Sequence, residues 1–216
     1  MKLHLGCGQR YFEGYVNIDY PLTEHSVQQT SVADEFANLL ELKYAVATVD
    51  EVRLHHVFEH FSRATASAML SGWNSWLKKG GIVHIEVPDF EKTGKVALGR
   101  FTNKKAKAVA LRHIFGSQEA HWALHFEGYT PASLSAFIEL YGFRTKEILK
   151  NNHLGTYNVE VIAEKVRDLT KAECDKLTET RLRDYMVADV DSERILLKTW
   201  MDDYRAQVEK TFSVNG

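Results

Sequence analysis

Cysteine is nearly absent from this chain of 216 residues, with only Cys7 and Cys174 present. Two distant cysteines build no disulfide framework, so stability must come from a buried core. Proline occurs three times, at Pro21, Pro88 and Pro131. Each falls at a boundary between elements, where its missing N–H does least harm. No excess of positive charge exists: 27 Lys and Arg face 29 Asp and Glu, for a net charge of −2. A nucleic-acid partner is therefore not expected, because phosphate binding needs basic excess. The run Arg100, Lys104, Lys105, Lys107 and Arg112 reads as a solvated helix face. No apolar stretch approaches transmembrane length, and no signal-peptide pattern precedes the first strand. Membrane association is not expected, and the cytoplasm is the expected compartment.

What remains is a globular composition, 44% hydrophobic and 26% charged. Strands and helices alternate from residue 1 to 165, and a charged helical extension follows over 168–216. Lys2–Leu5 reads as a first strand ending at Gly6-Cys7-Gly8. Tyr15–Asp19 reads as a second strand ending in an acid. Ser31–Asp34 is expected as a short third strand and Asp50–Val57 as a fourth. Ser62 is an N-cap, and Ala66, Met69, Leu70, Trp73 and Leu77 share one helical face. Gly80-Gly81 is expected to end that helix before a strand at Ile82–Val87. A long connection, Asp89 to Tyr129, exceeds ordinary loop length and should carry structure or function. Thr130-Pro131 opens another helix. A final strand pair, Arg144–Leu149 and Tyr157–Ala163, is expected to be antiparallel. In the extension, Thr170-Lys171-Ala172-Glu173 is a capping box, and a helix begins near Ser192. Its stripe Leu196, Trp200, Tyr204, Val208 packs back on the domain or makes a homodimer contact. The fold class is α/β and Rossmann-like, with a mostly parallel central sheet and an antiparallel last strand. Ligands of such sheets bind outside the carboxyl ends of the strands.

The glycines after the first strand let backbone approach a nucleotide-like ligand. Asp19, closing the second strand, can accept both hydroxyls of a ribose. A dinucleotide fingerprint needs a third glycine in register and an acid about 20 residues on. Here Gln9-Arg10-Tyr11 follows Gly8, and Asp19 comes 11 residues after it. That spacing disfavours a dinucleotide enzyme.

Taken in order, Leu-His-Leu-Gly-Cys-Gly (3–8), Gly14-Tyr15-Val16-Asn17-Ile18-Asp19, His56-Val57-Phe58-Glu59-His60-Phe61, Leu77-Lys78-Lys79-Gly80-Gly81 and Glu86-Val87-Pro88-Asp89 resemble class I methyltransferases that use S-adenosylmethionine (SAM). The resemblance is narrower to a type 11-like group with a shortened first loop. Ile114-Phe115-Gly116, His125 and Tyr141-Gly142-Phe143 extend it over residues 1–165. It implies a class I methyltransferase sandwich with SAM as cofactor. Gly6 and Gly8 would lie against the methionine part, with Cys7 between them as a small buried residue. Asp19 would bind the ribose. Asp34 would sit near the adenine, with Glu35 equally placed by register. His56 to Glu59 would border the sulfonium.

Methyl transfer needs an aligned acceptor, exclusion of water and often a base. His125 is the first choice of base, since it lies in the long connection and titrates near neutral pH. His60, Glu59 and Asp89 are the others. His56-x-x-Glu59-His60, completed by His121 or His125, has the residue types of a metal cluster. Metal-free relatives share the Glu-His pair, however, and no metal is expected. The expected activity is O-methylation of a small-molecule or glycan-like acceptor. The alternative is a non-catalytic SAM-binding partner or regulatory protein.

Overall fold

The computed structural model describes residues 1–21, 23 and 30–214. Seven strands form one sheet: β1 (Lys2–Leu5), β2 (Val16–Asp19), β3 (Glu35–Phe36), β4 (Val49–His55), β5 (Leu77–Pro88), β6 (Phe143–His153) and β7 (Thr156–Lys165). Their order is β3-β2-β1-β4-β5-β7-β6. The first five strands in this order run parallel, and β7 pairs antiparallel with both β5 and β6. The sheet therefore reverses its winding between β1 and β4, the switch point where such folds bind ligands.

Six helices are described: α1 (Arg63–Trp76), α2 (Phe90–Leu98), α3 (Lys104–Phe115), α4 (Pro131–Leu140), α5 (Lys171–Arg183) and α6 (Asp191–Thr211). Strand side chains alternate faces. Leu3, Leu5, Ile18, Val52, Leu54, Val83, Ile85, Val159 and Val161 all point into one core and are essentially inaccessible. Helix α1 lies within that core and is buried on nearly every side, Trp73 and Trp76 included. The alternate residues build a polar face instead. There His4 Nδ1 meets Asn17 Oδ1 at 3.1 Å, His84 pairs with Glu160, and Arg53 lies 3.7 Å from Glu160.

The C-terminal helices share the main core rather than forming one of their own. Trp76 Nε1 donates to the Thr211 carbonyl at 2.7 Å, and the Tyr141 and Thr178 hydroxyls meet at 2.7 Å. A Cβ on Gly72 would come within 3.0 Å of Thr211, so glycine sets the α1–α6 approach. The capping boxes at Thr130 and Thr170 are both formed.

Three sequence expectations need correction. The third strand is Glu35–Phe36 rather than Ser31–Asp34, because Asp34 is held by Asn17 of β2 just before pairing begins. Gly80 and Gly81 do not end α1. The helix stops at Trp76, and its cap Leu77 is already extended and opens β5. From Val49 to Glu51 on β4, the partner on β5 advances from Leu77 to Ile82. The intervening residues bulge out, and Gly80, at φ 81°, turns that bulge. Finally, the buried stripe of α6 is Leu197, Met201, Tyr204 and Val208, while Leu196 is exposed. Strict four-residue spacing drifts around a helix of 3.6 residues per turn, so one step of three restores the face.

No described helix is long and apolar enough to cross a membrane.

Candidate functional site

The chain leaves β1 in a left-handed turn, with Gly6 at φ 68° and Gly8 at φ 54°. The Gly6 and Cys7 N–H groups both donate to the Ile18 carbonyl of β2, at 2.8 and 3.0 Å. Gly6 is also pressed against β4's exit. A Cβ there would sit 2.4 Å from Val57 Cγ2. Only glycine satisfies both the backbone angle and the space.

This turn forms the floor of a pocket of about 390 Å³, lined by Gly6, Gly8, Asp19, Tyr20, Asn38, Leu39, Leu40, His56, Val57, His60, Phe61, His121 and Trp122. The size suits a small-molecule site. Asp19 is 5% exposed and accepts the Tyr20 N–H at 2.9 Å. Cys7 is buried behind the turn, and burial pushes its thiol up to about 12, which leaves it inert. Asp34 does not line this pocket. Its Oδ2 accepts from the Asn17 backbone and side chain at 2.8 and 2.9 Å, which holds the carboxyl below its usual range. The residues that line that end are Asn38, Leu39 and Leu40, none of which the sequence singled out.

A second chamber of about 450 Å³ adjoins the first and shares His56, His60 and Trp122 with it. Its wall includes Glu59, Arg112, His113, His125 and His153. The long connection supplies much of this wall, as its length suggested. Within it Gly116 bridges Leu124, and the Phe126 N–H ties it to the segment after β4 by donating to the Glu59 carbonyl at 2.8 Å.

His56 joins the two chambers from a non-glycine residue at φ 55°, a strained angle of the kind found at functional sites. Its Nδ1 lies 3.4 Å from Glu59 Oε1 and its Nε2 3.2 Å from Glu86 Oε1. Burial opposes its charged form, but the two carboxylates outweigh that and raise the imidazole to about 9. Glu86 was missed as a site residue, although β4–β5 pairing sets it opposite His55.

Glu59, His60 and His125 converge behind His56. One donor atom of each lies within 4.8 Å of the others. The two imidazoles meet edge to face with centroids 4.7 Å apart. His60 Nδ1 lies 3.0 Å from the Leu124 carbonyl, and His125 Nδ1 3.1 Å from the His113 carbonyl. A carbonyl only accepts, so each Nδ1 carries a proton, and in the neutral imidazole this leaves the lone pair on Nε2. Burial holds the His125 imidazole below its ordinary range despite the nearby Glu59 carboxylate. Glu59 is 1% exposed, and neither of its oxygens has a hydrogen-bond partner among the described residues. Burial opposes its ionisation, but His56, and then His60 and His125, hold it below the usual carboxylate range. His121 lines the first pocket only, and Asp89 is spent capping α2 through the Lys92 N–H at 3.0 Å.

The strand order, the antiparallel last strand and the glycine turn at the switch point define the class I methyltransferase fold. Comparison with solved structures agrees. A chain of the complex between the Haloferax volcanii Trm112 methyltransferase activator and its assigned methyltransferase superposes with a TM-score of 0.53 at 12% identity, covering 78% of this chain and 83% of that one. The Burkholderia thailandensis 1,6-didemethyltoxoflavin-N1-methyltransferase, solved with 1,6-didemethyltoxoflavin and S-adenosylhomocysteine, gives 0.50 at 15% identity, covering 77% and 71%. No family profile matches the chain, and no curated protein matches it by sequence.

Proposed function

We propose that this protein is a SAM-dependent methyltransferase acting on oxygen in a small-molecule or glycan-like acceptor. The observation that carries the reading is the pair of joined chambers at the switch point. One is built on the Gly6–Gly8 turn and Asp19, and the other is walled by histidines. In this reading SAM occupies the first chamber, as S-adenosylhomocysteine accompanies the Burkholderia enzyme in its solved complex. Asp19 accepts the ribose hydroxyls, and the methionine end lies over Gly6 and Gly8. The adenine faces Asn38, Leu39 and Leu40, which replace Asp34 in that role.

The sulfonium then points toward His56 and the acceptor chamber. Around it Glu59 and Glu86 are ionised while His56 is protonated, so the local balance is negative and favours a cation. The acceptor hydroxyl lies beyond, in line with the S–CH₃ bond. Its oxygen bonds to the methyl carbon as the S–C bond breaks, and the electron pair stays on sulfur. Activation of the hydroxyl falls to the Glu59, His60 and His125 group. In their neutral forms His125 and His60 offer Nε2 as the base, and the Glu59 carboxylate stabilises the imidazolium that forms.

Calorimetric titration with SAM and S-adenosylhomocysteine tests the cofactor, with Asp19→Ala as control. Micromolar binding that is lost in Asp19→Ala supports the reading, and no binding to folded protein overturns it. Binding without turnover on any hydroxylated acceptor would favour a non-catalytic SAM-binding partner instead.

A further inference from the structure

We propose that Glu59, His60 and His125 form a binding site for a divalent transition-metal ion, open on one side to the acceptor chamber. The inference deepens the reading of that chamber and rests on it for the ion's use, though not for its binding.

Three independent features support it. The first is the donor set. Two imidazoles and one carboxylate suit zinc, manganese, cobalt or iron(II) better than calcium or magnesium, which prefer oxygen. One donor atom of each residue lies within 4.8 Å of the other two. The second is the orphaned carboxylate. Glu59 is 1% exposed, with neither oxygen hydrogen-bonded among the described residues. His56 Nδ1 at 3.4 Å and His125 Nε2 at 3.9 Å are its ion-pair neighbours. A buried carboxylate without hydrogen bonds is costly, and a directly bound cation would complete what the more distant His56 imidazolium does not. The third is outer support. Metal-ligating histidines donate their second ring N–H to a carbonyl or carboxylate, which fixes tautomer and orientation. His60 does so to Leu124 and His125 to His113, each leaving Nε2 available.

The other grouping of suitable residues, His55, Glu86 and Glu160, lacks the second feature. Glu86 pairs with His55 and His56, and Glu160 with His84 and Arg53. The Glu59 group differs in that its buried carboxylate makes no hydrogen bond among the described residues and has only ion-pair neighbours at 3.4 and 3.9 Å. Sequence spacing alone led to an expectation of no metal, because metal-free relatives share the Glu-His pair and spacing does not show how this carboxylate is partnered. Three protein ligands leave further coordination positions for an acceptor oxygen on the chamber side. With the ion bound, His60 and His125 would hold it in place of their role as base, the ion would acidify and orient the acceptor hydroxyl, and the hydroxyl proton would leave to solvent in the chamber.

The test uses the full chain carrying no affinity-tag histidines and stripped with a chelator. Cobalt(II) is titrated in while its visible absorption is followed, and zinc(II) is then added in competition. The expected result is one equivalent of cobalt, displaced by zinc. Glu59→Gln, His60→Ala and His125→Ala should each weaken binding by at least about tenfold, the lower end of losses seen even for outer-shell changes. S-adenosylhomocysteine titrated into the same samples reports whether each variant is folded. No saturable binding overturns the inference, as does affinity unchanged in the double variant His60→Ala/His125→Ala. Binding of S-adenosylhomocysteine without metal binding sinks the metal site and leaves the methyltransferase reading standing. Metal binding without the adenosyl ligand does the reverse.

Discussion

Gly6 carries two constraints that act together. Its φ of 68° disfavours any other residue, and a Cβ would meet Val57 Cγ2 at 2.4 Å. Gly6→Ala should lose roughly 1–3 kcal/mol of stability from the backbone angle alone. Urea denaturation measures that loss, and calorimetry should show adenosyl-ligand binding weakened beyond it. His56 makes a pH-dependent contribution. Its folded-state pKa is raised to about 9, by Glu59 and Glu86 against the cost of burial. The stabilising contribution is therefore complete below about 6.5, the unfolded value, and lost as pH rises through the folded one. His56→Asn keeps a residue type that tolerates positive φ. Its urea midpoint should fall furthest below wild type on the acid side of that window, and the difference should vanish above it. Equal differences at every pH would show that the two carboxylates do not hold the charge. The sequence marked Gly6, Asp19 and His56 by their places at strand ends, a local signal, and all three line one pocket. Asp34 lies outside that lining, held by Asn17, a partner that sheet pairing sets and the sequence did not show.

Among the elements, the connection between β5 and α4 decides the acceptor chamber. It contains α2, α3 and a turn at His121–Ala123 that carries Trp122 between the two pockets. Gly116 ends α3 at φ 85°, and a Cβ there would fall 2.1 Å from the Ala123 carbonyl oxygen. Gly116→Ala should break the Gly116–Leu124 bridge and loosen residues 117–126. Hydrogen exchange at His125 and Phe126 should quicken at least several-fold, while amides of β4 stay protected. Unchanged exchange would mean that the segment is held from elsewhere. Helix α5 offers a simpler case. Its capping box joins Thr170 to Glu173 in both directions. Thr170→Ala should cost about 1 kcal/mol, readable as a shift in the unfolding midpoint. The Thr170 box was legible, since a cap is a four-residue pattern, whereas at Thr130 the sequence marked the helix start and the structure added the box with Ser133. The end of α1 was not legible, because the chain passes from helix to strand before reaching its glycines.

At the scale of the whole molecule, residues 168–214 complete the core. Met201, Tyr204 and Val208 of α6 belong to the same apolar cluster as the sheet, and Leu40 accepts a hydrogen bond from Gln207. Truncation after residue 168 should leave Trp76 without its Thr211 partner and expose one side of α1. Such a chain should lose its near-UV circular dichroism and bind a hydrophobic dye, as loosely packed states do. A truncated chain that kept a sharp thermal transition would show that the extension is dispensable to the core.

By itself the sequence determined the alternation of strands and helices outside the long connection, the mostly parallel sheet which that alternation implies, and the glycine turn with its facing acid. These depend on backbone angles and on periods of 2 and 3.6, which neighbouring residues set. Only the tertiary structure decided which face of α6 is buried, that Glu86 serves His56, and that Glu59 and His60 meet His125 from far along the chain. Those meetings depend on the path of a long connection fixed by single main-chain bonds, such as Phe126 to Glu59, and such bonds leave no periodic trace in sequence.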